Sequence, residues 1–360
     1  VSGPQHAARR EALVALFATD GLDALLVQHL PNIRYLTGFT GSAGLLLVTA
    51  AATVLVTDFR YAAQAPQEAP GVDVQVDASS IWDRLGRVLG AHQVERLGVE
   101  SHVMTTRDAD RLSRLTRSRV VQVSELVEQL RVAKDPGEVA AIRAAAALAS
   151  EALDEILPGV RAGDREIDVA ARLESALRQR GSEWHPFQTI VASGPRAALP
   201  HARSSRRAVQ AGELLLIDFG AQVDGYCADL TRTVVVGRAD ERQRAVYGIV
   251  AEAQVRARTA IRARQPGRDA DALARDVIAA RGFGEAFGHS LGHGLGLEVH
   301  EAPRLSQTND APLPMHAVVT IEPGIYLPGW GGVRVEDDVY LGPEGPELLS
   351  DGRTDLLELT

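Results

Sequence analysis

Apolar positions recur with helical spacing from His6 to Ala18, and a short apolar run from Ala24 to Val27 then has the length of a buried strand. A turn-rich stretch follows, from Pro31-Asn32 through Gly38, Gly41 and Gly44, before strand patterns near 45–49 and 53–57. Further strand runs at 72–76, 97–100 and 119–123 alternate with helical patterns at 80–91 and 105–116. Strands interleaved with helices predict an α/β domain built on a parallel or mixed sheet.

The pattern changes near 131–138. In Asp135-Pro136-Gly137-Glu138, Asp135 can cap a helix, Pro136 suits its first turn and Glu138 can close a capping box. An Ala-rich helix to about Leu157 and a second over 164–180 follow. Beyond them, strands near 187–192, 213–220, 226–236, 316–323 and 331–341 are interleaved with helices near 240–262 and 269–281. This is an α+β pattern, and it predicts two domains, 1–130 and 131–360.

A chain of 360 residues suits two cores better than one. Its net charge of −9 argues against nucleic acid or an anionic membrane as partner. No apolar run approaches the ~20 residues that span a bilayer, and Val1 to Arg10 lack the charged-then-apolar layout of a signal peptide. A single cysteine, Cys227, excludes internal disulfides and fits a reducing compartment, so a cytoplasmic location is expected.

The chemistry concentrates in the second domain. Glu213 to Gly220 reads as a strand with one acid, Asp218, among apolar residues, and Asp224-Gly225 is a strong hairpin signal. Tyr226 to Val236 then reads as the return strand. A two-residue turn at 224–225 places Asp218 opposite Thr231, with Asp229 two residues away on the same face. Two such carboxylates repel unless a cation lies between them. Solvated strand acids are the alternative, and the apolar flank of Asp218 argues against it.

A second segment, Gly288 to Glu301, holds His289, His293 and His300 among glycines that permit close backbone approach. These glycines exclude a helical zinc motif, although His289 and His293 are four apart. Glu322 ends a β-branched strand just where Pro323-Gly324 breaks it. Finally, Arg334 and Glu336 alternate with valines and so share one strand face, where Arg334 can hold a neighbouring carboxylate.

Taken in this order, Asp218, Asp229, His293, Glu322 and Glu336 with their flanking motifs resemble the pita-bread metallopeptidase family of methionine aminopeptidase, aminopeptidase P and prolidase. The resemblance covers about 131–350. It implies a C-terminal α+β pita-bread catalytic domain behind an α/β N-terminal creatinase-like domain. It also implies two divalent metal ions, with Asp218 on one, His293 and Glu322 on the other, and Asp229 and Glu336 bridging. The oxygen-rich donor set suits Mn²⁺, with Zn²⁺ or Co²⁺ as alternatives.

The N-terminal segments Asn32 to Ser42 and Thr57 to Tyr61, and Ser193 to His201, resemble Xaa-Pro peptidases in particular. That resemblance implies proline-containing peptides as substrates. It makes His201, His300 and Glu322 catalytic residues, and His289, His300 and Arg334 substrate contacts. The chain is expected to be aminopeptidase P-like, with a prolidase restricted to dipeptides as the alternative. Less favoured are a non-catalytic binding module and a creatinase-like hydrolase on the same fold. Relatives imply a homodimer.

Overall fold

A computed structural model describes residues 3–359. Its contacts divide the chain into two compact units, Val1–Arg131 and Val132–Thr360. The first unit carries strands β1 (Ala24–Val27), β2 (Leu45–Thr49), β3 (Thr53–Asp58), β4 (Asp73–Asp77), β5 (Arg96–Glu100) and β6 (Arg119–Val123). They form one sheet in the order β4-β3-β2-β1-β5-β6. β2 pairs antiparallel with β1 and β3, whereas β3–β4, β1–β5 and β5–β6 are parallel. Helices α1 (Gly3–Asp20), α2 (Leu30–Thr37), α3 (Ala65–Glu68), α4 (Ile81–His92), α5 (Thr106–Leu115) and α6 (Leu126–Arg131) complete it. Leu26, Leu47 and Val56 of the sheet pack against Leu85 and Leu89 of α4 and Leu112 of α5. Each such burial stabilises by about 1.5–3 kcal/mol.

Three helices here lie outside the sequence pattern. The stretch expected as a turn is α2: Pro31 sits in its first turn, where a missing N–H costs little, and Gly38 ends it at φ 87° with its N–H on the Arg34 carbonyl. The two residues that read as turn signals are the boundaries of a helix. α3 and α6 are too short for periodicity to reveal.

The second unit opens with α7 (Pro136–Ile156), whose capping box between Asp135 and Glu138 is formed in both directions, and continues with α8 (Glu166–Gln179), α9 (Glu241–Ala260) and α10 (Gly267–Ala280). Its strands are β7 (Ile190–Ser193), β8 (Glu213–Phe219), β9 (Gln222–Val223), β10 (Tyr226–Cys227), β11 (Leu230–Val236), β12 (Gly292–Gly294) and β13 (Glu301–Leu305). After these come β14 (Val318–Ile321), β15 (Gly324–Leu327), β16 (Gly331–Arg334), β17 (Asp337–Gly342), β18 (Gly345–Leu348) and β19 (Glu358–Leu359). They assemble as β19-β11-β8-β7, as β13-β12-β14-β17-β18, and as two ribbons, β9–β10 and β15–β16.

Two cores hold the sheets. Leu153 of α7 and Leu173 and Leu177 of α8 pack on Leu215 and Ile217 of the four-stranded sheet. Val250 of α9 and Ile278 of α10 pack with Val319, Ile321 and Val339 of the five-stranded one. The sheets meet at Thr231 and Glu336, where the Glu336 N–H donates to the Thr231 carbonyl at 3.1 Å.

Two expected strands are each split. The run 226–236 divides into β10 and β11, and 331–341 divides into β16, which pairs with β15, and β17, which pairs with β14. Alternation continues through both breaks while the hydrogen-bonding partner changes. Each interruption contains a carboxylate, Asp229 or Glu336.

β12 is wedged between β13 and β14 by glycines. A Cβ on Gly292 would lie 2.0 Å from the Thr320 carbonyl oxygen, and one on Gly294 would lie 2.0 Å from that of Ala302. Gly292→Ala must therefore push β12 off β14. The expected loss is about 1–3 kcal/mol, as for overpacking elsewhere, read as a lower urea midpoint with an unchanged slope.

Candidate metal centre and active site

The Asp224-Gly225 turn takes φ of 50° and 81°, as a hairpin of type I′ requires. The register it sets runs through Tyr226↔Val223 to Thr231↔Asp218. Asp218 therefore sits within β8 opposite Thr231, and Asp229 occupies the gap between β10 and β11. Its backbone N–H donates to Oδ2 of Asp338 at 3.2 Å.

Thr231 is the hub of the site. Its fully buried hydroxyl accepts from Arg334 Nε at 3.0 Å and donates to Glu336 Oε2 at 2.5 Å. Arg334 is itself buried, and its other nitrogens donate to Asp218 Oδ2 (2.6 Å), the Tyr326 hydroxyl (2.8 Å) and the Pro200 carbonyl (3.3 Å). Arg334, at the end of β16, and Glu336, in the break before β17, still converge through this hydroxyl.

His293 arrives on β12. Its Nδ1 lies 3.0 Å from the Gly294 carbonyl, which can only accept, so Nδ1 carries the proton and Nε2 offers its lone pair. That Nε2 lies 3.5 Å from Glu322 Oε1 and 3.7 Å from Asp229 Oδ2. Ligand atoms of Asp229, His293 and Glu336 all lie within 4.8 Å of one another. Asp218 and Glu322 line the same cleft of about 570 Å³, together with His201, His289, His300 and Arg334.

Electrostatics sets this cluster apart. Burial, then repulsion from Glu336 and Asp218, holds Asp229 well above the ordinary carboxylate range. Burial and Glu336 do the same to Glu322. Burial and Asp218 push Glu336 up to about 7. Burial also raises Asp218, though Arg334 opposes it. Burial and the neighbouring His300 lower His293 to about 4, so its contacts with the carboxylates are those of a neutral imidazole and not ion pairs.

The histidines and aromatic residues around the cleft separate into groups. His300 packs against His293 with ring centres 4.4 Å apart and planes tilted by 60°, and His201 lies on the exposed stretch after the turn Gly194–Ala198. His289 uses both nitrogens, Nδ1 on the Ser290 carbonyl at 2.8 Å and Nε2 on the Tyr326 hydroxyl at 2.9 Å. Trp330 lies beneath Arg242 and Tyr226 donates to Glu138, so neither lines the cleft. His185 stacks on Trp184, and His316 bonds Tyr340.

Three participants escaped the sequence reading. Tyr326 links Arg334 to His289. Asp338 buttresses the backbone of Asp229. Arg304 stands opposite His293 in the β12–β13 register and lines the cleft. Its signal, a cation four residues after His300, is visible only once β13 is recognised.

Residues 140–343 match the description of metallopeptidase family M24, and residues 9–133 match the creatinase/prolidase N-terminal domain. An uncharacterized peptidase of Bacillus subtilis, YqhT, is 40% identical over 350 residues, 97% of this chain and 99% of its own. Among solved structures, an Xaa-Pro dipeptidase from Bacillus anthracis superposes with a TM-score of 0.96 at 39% identity, covering 98% of this chain and all of its own. An X-Pro aminopeptidase from Thermotoga maritima gives 0.91 at 38% identity, covering 97% and 99%. With its clustered carboxylates in a pita-bread fold and an added N-terminal domain, the chain belongs to metallopeptidase family M24.

Proposed function

We propose that this enzyme is a metal-dependent Xaa-Pro peptidase whose metal ligands are Asp218, Asp229, His293, Glu322 and Glu336. The observation that carries the reading is the unbalanced charge of the cleft. Four carboxylates converge there, and Arg334 is the one cation bonded to any of them among the described residues. The excess negative charge, the raised carboxyl groups and the free Nε2 of a neutral His293 all fit a pair of divalent cations. The oxygen-rich donors favour Mn²⁺. The relatives named as Xaa-Pro dipeptidase and X-Pro aminopeptidase support the choice of substrate.

Bound metal would supply Lewis-acid activation of water and of the scissile carbonyl. The chain's own groups do the rest. The nitrogen of proline carries no hydrogen and leaves only when protonated, so a proton must be delivered to it. Glu322, which lines the cleft, would carry that proton from water. His201 and His300 face the developing oxyanion with N–H donors. Arg334, expected from the sequence as a substrate contact, has its donors engaged by protein groups, and we assign it to positioning Asp218. His289 is similarly tied to Tyr326 and shapes the wall of the proline subsite.

One observation favours the dipeptidase form over the aminopeptidase P form expected from the sequence. Arg304 lines the cleft beside His293 and makes no ion pair among the described residues. A dipeptide places its terminal carboxylate one residue beyond the scissile bond, where a guanidinium can take it in a bidentate grip. A longer peptide has an amide there.

Two measurements test these readings. A carboxyl group raised on folding gives stability that is complete below its unfolded pKa and lost as pH rises through the folded one. For Glu336 that window runs from 4.5 to about 7. Metal-free protein should therefore melt at progressively lower temperature between about pH 5 and pH 8, and Mn²⁺ should restore the loss at pH 8. A flat profile that ignores Mn²⁺ would count against the cluster. Xaa-Pro and Xaa-Pro-Yaa peptides should then be assayed side by side. Arg304→Met is expected to raise KM for the dipeptide about 10- to 100-fold, the value of a charged hydrogen bond, and to leave the tripeptide unaffected. Equal cleavage of both, untouched by Arg304→Met, returns the aminopeptidase form, and cleavage of neither by metal-loaded protein sinks the proposal.

A further inference from the structure

The N-terminal unit holds a second cluster of metal-ligating side chains, His29, His102 and Glu128, far apart in sequence. One ligand atom from each lies within 4.8 Å of the others. His102 Nε2 is 3.0 Å and His29 Nδ1 is 3.6 Å from Glu128 Oε1, and the imidazole rings stand edge to face at 5.6 Å. Donors around a tetrahedral ion with bonds of about 2.0–2.1 Å are separated by about 3.4 Å, and the two distances bracket that spacing.

The topology explains why these residues meet. His29 lies two residues beyond β1 and His102 two beyond β5, and β1 and β5 are adjacent and parallel. Glu128 lies on α6, the element that follows β6, the next parallel strand. Loops at the carboxyl ends of neighbouring parallel strands converge and are a common place for ligands.

The surroundings fix the cluster as well. Asn32, fully buried, donates through Nδ2 to Glu128 Oε1 and to Glu100 Oε1, both at 2.6 Å, and accepts from Arg131 at 2.7 Å. The other oxygen of Glu100 accepts the backbone N–H groups of Gln28 (2.6 Å) and His29 (2.9 Å), which pins the loop. This is the kind of outer support that orients metal ligands.

A His–Glu hydrogen bond alone would account for one imidazole. It leaves unexplained the second imidazole, and also Glu128 Oε2, which is shielded from solvent and without a hydrogen-bond partner among the described residues. An unsatisfied buried carboxylate oxygen is costly, and a cation satisfies it.

We propose that His29, His102 and Glu128 form a Zn²⁺ site within the N-terminal unit that joins the loops after β1 and β5 to α6. Two imidazoles and one carboxylate are a borderline set that suits Zn²⁺, in contrast to the oxygen-rich cleft. His102 is partly exposed, which leaves room for water as a fourth ligand and an entry path.

The test is the number of Zn²⁺ ions retained per full-length chain after equilibrium dialysis, compared among the wild type, His102→Gln and His102→Cys. Glutamine keeps a hydrogen bond to Glu128 but is a poor zinc ligand, whereas cysteine supplies a thiolate. His102→Gln should retain one equivalent fewer than the wild type, and His102→Cys should retain the wild-type number. Loaded with Co²⁺, His102→Cys should also gain a thiolate charge-transfer band absent from the wild type. Circular dichroism confirms that each variant is folded, as the exposure of His102 leads one to expect. Equal retention by the wild type and His102→Gln would overturn the site. So would a His102→Cys chain that loses as much zinc as His102→Gln.

Discussion

Carboxyl groups removed from water resist ionisation, and each one brought near another resists it further. The second unit gathers four of them, Asp218, Asp229, Glu322 and Glu336, along the seam where its two main sheets meet. Much of the architecture answers to that constraint. The strands break at Asp229 and Glu336, which turns each carboxylate out of the ladder and into the cleft. Arg334 balances one charge and, through Thr231, orders another. Glycines bring β12 against β14 so that a neutral imidazole reaches the same space.

The two proposed metal sites show how donor chemistry follows from place in the fold. The cleft is made by strands from two sheets whose acids face inward, so oxygen donors dominate. The N-terminal cluster is made by two loop residues at strand ends and one glutamate on α6, so imidazoles can meet there. Each calls for a different ion. The supporting hydrogen bonds differ too: a threonine hydroxyl joins opposite charges in the cleft, while an asparagine amide joins two like-charged glutamates in the N-terminal unit.

Local rules were legible in the sequence wherever a short segment governed itself. The Asp135 capping box, the Asp224-Gly225 turn and the facing of Asp218 with Thr231 all follow from neighbours in the chain. Legibility failed where a signal had two meanings or where the partner was remote. Pro31 and Gly38 bound a helix as readily as they mark a turn. The valines around Glu336 alternate without a break, yet the strand changes partners there. Tyr326, Arg304 and Asp338 acquire their roles only when distant strands are paired. Resemblance supplied the chemistry of the five cleft residues; spacing alone supplied their order and their faces.

The hairpin at Asp224-Gly225 carries a consequence of parity. Its register fixes, in steps of one residue, which groups of β8 and β11 lie opposite, and a shift of one turns a side chain to the far side of the sheet. One residue added to that turn and not absorbed by a bulge would move Asp218 from Thr231, the hydroxyl on which Arg334 and Glu336 converge. Two added residues, shared evenly between the arms, would lengthen the ribbon and preserve every pairing beneath it. Length changes that come in even numbers therefore leave the geometry beneath the ribbon as it is.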